Sequence, residues 1–348
     1  MRYVAVDSGK YKTKISFYDT ETKEQKDLRF RTKIGPGDFN DDLLEKGSFI
    51  VRVDGGEVYK VGSSARMEAE LETTKKSEAH RICTLTGIAL ALQKDTEDVP
   101  VAIGIPLSLA YDPAKRMEYK EYILGEGTHT VEIKCSPEEG PHTVTFKIGK
   151  KLVYPESIGA LYVMPEKLDG ISGVIDIGNL NTNCTYCTNF MPQQDKSFTD
   201  ELGGEILITE LAQALSDTLG NRVDNNLVAA TLLKPLKERF LTAKNGNDEI
   251  KEKSRKVIDT VMAEHAENIK RRLDARKWPT AFMNICMIGG TVKILKPELE
   301  TVFPGAIFPD EPEMVNARGF LSKMCANDDI NIFATKRKIK EGTKEEEQ

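Results

Sequence analysis

Residues 3–18 read YVAVDSGKYKTKISFY. An apolar run from Tyr3 to Val6 ends in Asp7, Ser8 and Gly9. A basic turn follows, Lys10-Tyr11-Lys12-Thr13-Lys14, and a second apolar run resumes at Ile15. Two strands joined by a polar turn is the plain expectation, a hairpin centred on residues 7–13. A surface hairpin explains the turn. A loop that holds phosphate and a metal ion is the sharper alternative, and the rest of the chain decides between them. Backbone N–H groups of such a turn form an anion nest. Gly9 permits close approach of a ligand. Lys14 supplies a point charge for phosphate oxygens. An aspartate beside phosphate needs an intervening cation. Asp7 therefore implies Mg²⁺, held through water because Mg²⁺ sheds its waters reluctantly.

The same plan occurs again. Residues 173–184 read GVIDIGNLNTNC, with Asp176 after an apolar run and Gly178 in the turn. Asn179, Asn181 and Asn183 tolerate unusual backbone angles, and Thr182 offers a hydroxyl. The two aspartates are 169 residues apart (176 minus 7). Two such elements indicate an internal duplication. A third turn, in MIGGTVKIL, puts Gly289 and Gly290 between a strand and a helix. Glycine there lets a flat ring or a phosphate reach the backbone. A fourth stretch, LVYPESIGALYVM, places Glu156 ahead of a helical apolar run. A carboxylate there is either a helix-dipole partner or a group that orients water for attack on a γ-phosphate.

The bulk of the chain fits two α/β domains. It has 348 residues, 39% hydrophobic and 30% charged, and a net charge of −6. That acidity leaves no basic footprint for nucleic acid. No apolar run approaches the ~20 residues needed to span a bilayer. Six scattered cysteines suit a reducing cytoplasm. Residues 28–62 alternate and carry an Asp54-Gly55 turn, so they read as a small β-containing insertion. Ile82, Leu85, Ala89 and Leu92 share one helical face. Residues 112–124 form a helix with Asp112 as N-cap and Pro113 at its first position. Residues 128–153 read as strands. Ile208, Leu211, Ala212, Leu215 and Leu219 mark another amphipathic helix. Residues 224–276 read as almost entirely helical, and a short helix lies within residues 312–324. The tail from Lys336 is charged and has little to bury.

In this order the turns resemble the two phosphate motifs and the adenosine motif of the actin-like ATPase superfamily. Within it, the segment YPESIGALYVM and the order of elements most resemble the plasmid-segregating bacterial actins of the ParM kind. The resemblance spans nearly the whole chain. It implies an actin-like, ribonuclease H-like α/β fold of two related domains with nucleotide in the cleft. Domain I is expected over residues 1–165, with an insertion at about 28–70, and is completed by 313–335. Domain II is expected over 166–312, and a tail over 336–348. The resemblance makes Asp7 and Asp176 the carboxylates around the Mg²⁺ water shell. Ser8, Gly9, Lys10, Tyr11 and Lys14 would lie at the phosphates on one side, with Gly178, Asn179 and Thr182 on the other. Glu156 would position the attacking water. Gly203, Gly204, Gly289, Gly290 and Thr291 would line ribose and adenine. Two departures bear on the rate of hydrolysis: Lys10 replaces the usual Ser or Thr, and Asn179 breaks the usual Gly-Gly pair.

The function implied is an ATPase, with GTP as an alternative nucleotide, that polymerises on binding Mg-ATP and falls apart after hydrolysis. By the resemblance it moves plasmids through a DNA-binding adaptor of the ParR kind, without direct nucleic-acid or membrane binding. A small-molecule kinase of the same superfamily would need a further general base, for which the sequence offers no candidate. A chaperone-like ATPase would need a substrate-binding domain, which is not expected here. A cell-shape or division filament would carry a membrane anchor, and none is expected. Cys184 and Cys187 are a C-x-x-C, but on a strand they point to opposite faces, and no second pair completes a zinc site. His80, His129, His142 and His265 lack metal-ligand spacing. Trp278 is expected to cap the long helix, and Lys270, Arg271 and Arg272 to form a solvated face or a filament contact.

Overall fold

The computed structural model describes residues 1–68, 75–242, 248–330 and 332. The expected tail, 336–348, lies outside them, as does the end of the 28–70 segment. The chain divides into two compact units, Met1–Met164 with Met314–Gln348, and Pro165–Glu313.

The first unit is built on a ten-stranded sheet. Its elements are β1 (Arg2–Ser8), β2 (Lys12–Asp19), β3 (Glu24–Arg31), β4 (Lys33–Pro36), β5 (Ser48–Val53), β6 (Val58–Gly62), β7 (Met67–Glu68), α1 (Glu78–Leu92), β8 (Thr96–Ile105), α2 (Leu107–Ala110), α3 (Pro113–Leu124), β9 (Thr128–Lys134), β10 (His142–Pro155) and α4 (Gly159–Val163). The strand order is β3-β2-β1-β8-β10-β9-β5-β6-β4-β7. The expected β-containing insertion holds β4 to β7. β5 pairs antiparallel with β9, so β4 to β7 extend the main sheet. Val4, Val6, Ile103 and Leu85 belong to one core between this sheet and α1. The helix at 113–124 is capped as expected, with the Asp112 carboxylate accepting from the N–H groups of Ala114 and Lys115.

The second unit holds β11 (Ile171–Ile177), β12 (Thr182–Thr188), β13 (Met191–Pro192), β14 (Phe198–Asp200), α5 (Gly204–Leu219), α6 (Asn225–Leu232), α7 (Asp248–Ala275), β15 (Asn284–Ile288) and α8 (Val292–Val302). Its sheet runs β13-β12-β11-β15, with β14 on β12. The near-continuous helix expected over 224–276 is corrected. α6 ends at Leu232, and a single 3₁₀ turn occupies Leu236–Glu238. Pro235 supplies no N–H and clashes with a continuing helix, which explains the stop. Trp278 does close α7. Its N–H donates to Leu273 O and that of Lys277 to Asp274 O, with Lys277 left-handed at φ 58°. This is a Schellman ending with lysine where glycine is usual. Cys184 and Cys187 are both buried and free.

The chain then returns to the first unit as α9 (Val315–Ala326). α9 crosses α4 with backbone against backbone. A Cβ at Gly319 would lie 2.2 Å from Gly159 O, and one at Gly159 would lie 2.5 Å from Asn316 Cα. Neither neighbour is a flexible side chain that could swing away. Gly319→Ala should therefore force the helices apart and destabilise the protein by about 1–3 kcal/mol, read as a lowered urea midpoint. An unchanged midpoint would show that α4 and α9 do not cross this closely.

Candidate functional site

β1 and β2 form the expected hairpin, with Asp7 opposite Lys14 and Ser8 opposite Thr13. The Gly9 N–H donates to Lys12 O at 3.0 Å. This bond closes the hairpin. Below the turn a hydroxyl chain fixes the loop. Ser8 Oγ and Thr13 Oγ1 share a hydrogen bond of 3.2 Å, Thr13 and Thr32 one of 2.9 Å, and the Thr32 hydroxyl donates to Gly9 O at 2.7 Å. Tyr11 is exposed at the tip, its ring 3.4 Å from the Arg31 guanidinium.

Asp7 is 3% exposed, so it is no surface hairpin residue. Burial alone would raise its pKa. The charges of Lys14 and then Lys75, with hydrogen bonds from Lys14 and Asn316, outweigh burial and hold it below the ordinary carboxylate range. Lys14 Nζ donates to Asp7 Oδ2 at 2.8 Å. Glu156, 5% exposed, is paired with Lys75. Its N–H donates to Ile105 O, which ties it to the end of β8. Between the two carboxylates lies Gly104 of β8. A Cβ there would sit 3.5 Å from both Asp7 Oδ1 and Glu156 Cγ. His80, fully buried in the first turn of α1, shares a 2.8 Å hydrogen bond with the N-cap Ser77. Burial first, then the charges of Lys75 and Lys10, push its pKa down to about 3. Lys75, Gly104 and Asn316 went unnoticed in the sequence, and His80 was weighed there only as a metal ligand. Asn316 lies in VNARGFL, whose only local signal was helical.

The second unit repeats the turn. Gly178 N–H donates to Asn181 O at 2.9 Å, the bond that Gly9 makes to Lys12, at the same offset of 169 (178 minus 9, 181 minus 12). A Cβ at either glycine would lie 3.0 Å from that carbonyl. Asp176 is half-buried and faces Asn183 across the strands. The first N–H groups of α5 fasten the turn, Gly204 to Gly178 O and Glu205 to Asn179 O. Thr291 Oγ1 also donates to Gly178 O, at 2.7 Å. Thr182 is turned away, donating to Leu202 O. Gly203 is packed against the Asn179 and Leu180 backbone, and Gly204 against Thr291. Gly289, at φ +99°, lies against Ile177 O and Asp176 Oδ1. Gly290 is exposed, and a Cβ there would meet nothing within 4 Å. The structure thus brings Asp176, Gly178, Asn179, Gly203, Gly204, Gly289 and Thr291 together around one turn.

Among the described residues no group of three or more His, Cys, Asp or Glu side chains could cage a metal ion. The donors that are present, single carboxylates beside lysines, fit Mg²⁺ that arrives on phosphate and keeps its own waters.

Residues 5–159, just under half of the chain, match the family model of actin-like protein N-terminal domains. A comparison with curated protein sequences found no match. Among solved structures, the archaeal actin homologue Ta0583 is 18% identical with a TM-score of 0.70, covering 94% of this chain and 100% of that one. Bacillus thuringiensis ParM with AMPPNP is 19% identical with a TM-score of 0.70, covering 94% and 99%. The Alp12 filament structure is 23% identical with a TM-score of 0.68, covering 94% and 98%. The fold is the actin-like fold.

His80 provides a check on this geometry. Its depressed pKa means the native state resists protonation, so its contribution to stability is full above about 6.5, its usual value. That contribution is lost as pH falls from about 6.5 towards about 3, at ~1.4 kcal/mol per pH unit. His80→Gln should flatten this part of the stability profile, measured by urea unfolding between pH 4 and 7. An unaltered slope would show that His80 is not held neutral.

Proposed function

We propose that this chain, with its actin-like fold and its actin-like N-terminal domain over residues 5–159, is an ATPase that polymerises with Mg-ATP. The observation that carries the reading is the repeated aspartate hairpin, closed by the same glycine bond in both units. The turn beside Asp7, with Ser8, Gly9, Lys10, Tyr11 and Lys14, serves phosphate. Asp176 with Gly178 and Asn179 would serve phosphate as well, whereas the Thr182 hydroxyl is taken up by Leu202 O. Gly203, Gly204, Gly289, Gly290 and Thr291 serve ribose and adenine. Glu156 holds the attacking water and draws off its proton as the oxygen approaches the terminal phosphorus. Asp7 and Asp176 would hold the waters of a Mg²⁺ ion, which would supply charge neutralisation on the phosphates.

The wider role follows the same reading. Bound nucleotide drives self-association into filaments, and hydrolysis ends it. The filaments carry plasmid DNA through a DNA-binding adaptor of the ParR kind, in the cytoplasm. A net charge of −6 gives the chain no electrostatic footprint of its own for DNA. Among the described residues no helix is long and apolar enough to cross a membrane. Bacillus thuringiensis ParM was solved with AMPPNP and Alp12 as a filament, which agrees with this reading.

Light scattering and phosphate release after addition of Mg-ATP provide the test. Wild-type protein should scatter, release phosphate and then lose scattering. Asp176→Ala should do neither. Glu156→Gln should still scatter while releasing phosphate about 10²-fold more slowly. Phosphate release without scattering at any concentration would favour a kinase or a monomeric ATPase. Absence of both would end the ATPase reading.

Gly290 gives a separate check. With open space at its Cβ position, Gly290→Val should leave thermal stability nearly unchanged. It should weaken binding of a fluorescent ATP analogue by about tenfold or more, since the new side chain occupies the space for the ring. Unchanged binding would remove Gly290 from the nucleotide site.

A further inference from the structure

Glu156 and Asp7 flank one point of backbone, Gly104, yet they are neutralised from different directions. Lys14 reaches Asp7 across the hairpin. Lys75 reaches Glu156 from the entry to α1, and both members of that pair are nearly sealed, with side chains 11% and 7% exposed. Such a pair is poor evidence of a stabilising design, because desolvating two charges offsets most of their attraction. The backbone on both sides is also held in an unfavourable conformation. Lys75 is left-handed at φ 53°. Ser157, next to Glu156, is left-handed at φ 73° and fully buried. Its hydroxyl finds no partner among the described residues. Outliers clustered on a buried charged pair point to function more often than to packing.

The chemistry of the pair gives that function a direction. A carboxylate bound to an ammonium is a weak acceptor for a water proton, because the cation stabilises its charged form. A terminal phosphate is a more highly charged partner for the same ammonium. Lys75 also acts on Asp7, but Asp7 has its own ammonium partner in Lys14; His80, beside Lys75, is held neutral and adds no competing charge.

We propose that Lys75 reads the terminal phosphate of a nucleoside triphosphate. Without a triphosphate it holds Glu156 in the buried ion pair. With one bound, its ammonium passes to the terminal phosphate oxygens, and the Glu156 carboxylate is released to its water. No covalent bond changes in this step; one cation exchanges one anionic partner for another. A diphosphate lacks the group that Lys75 reads, so the pair stays closed and Glu156 stays occupied. The inference rests on the ATPase reading above and adds to it a residue that distinguishes triphosphate from diphosphate.

The experiment measures the ratio of ATP to ADP affinity, by competition against a fluorescent analogue, in wild type, Lys75→Met, Lys75→Arg and Glu156→Gln. Lys75→Met should lower the ratio about tenfold or more by weakening ATP alone. Lys75→Arg, which keeps the cation, should recover most of it. Glu156→Gln removes the competing anion, and it should raise the ratio several-fold although hydrolysis is slowed. That second arm reports even if Lys75→Met does not fold. A purely structural pair predicts instead a lower melting temperature and equal losses for ATP and ADP. Ratios unchanged in Lys75→Met and in Glu156→Gln would overturn the inference while leaving the ATPase reading intact. Wild-type protein that binds neither nucleotide would overturn both.

Discussion

A charged carboxylate sits inside the first unit, and much of the local structure exists to keep it charged. Asp7 lies next to the end of β1, after the buried residues Tyr3, Val4, Ala5 and Val6. Left alone, it would take up a proton rather than remain an anion. Three elements prevent that. The hairpin register puts Lys14 opposite it. The entry to α1 brings Lys75 close, and α9 contributes Asn316. Asn316 can reach only because α9 lies directly on α4, through Gly159 and Gly319. Closure of the hairpin, the helix crossing and the ionisation of Asp7 are therefore one linked problem.

The duplicated half solves a different problem with the same backbone. Its turn closes with the same glycine-to-carbonyl bond. Yet Asn183 stands where the first unit has Lys14. At the offset of 169 the second unit has asparagines, Asn179, Asn181 and Asn183, where the first has Lys10, Lys12 and Lys14. Gly203, Gly204 and Gly289 allow the turn, the start of α5 and the end of β15 to pack at backbone distance. The duplication conserves the hydrogen bond that sets the turn and lets the side chains diverge: one copy gathers positive charge, the other close-packed backbone.

The fold could be read in the sequence wherever a short pattern carried it. Both hairpins, the capped helix at Asp112 and the glycine turn after β15 announce themselves within a dozen residues. The same holds for Asp7, Asp176 and the glycines of the second unit. What stayed hidden depends on partners far apart in sequence. Lys75 and Glu156 are separated by 81 residues, and Asn316 reaches Asp7 from near the other end of the chain. No periodicity marks such pairs. The pairing of β5 with β9 was hidden for the same reason, because an edge is not a local property. The break after α6 was legible in Pro235, but the apolar spacing on either side outweighed it.

The two departures from the superfamily pattern look different once the backbone is known. Asn179 stands where glycine is usual, but it is not among the residues with positive φ. Glycine's special freedom is therefore not required there. Its carbonyl is used to receive the Glu205 N–H at the head of α5. Lys10 changes charge rather than shape. Lys10 and Lys75 both act on His80, and Lys14 and Lys75 both act on Asp7. Lys75 thus acts on both groups, whereas Lys10 acts on His80. Where the superfamily pattern has a neutral hydroxyl to donate one hydrogen bond, this chain has a cation. On the proposed ATPase reading, affinity for phosphate should accordingly depend more on charge and salt, and less on the geometry of a single donor.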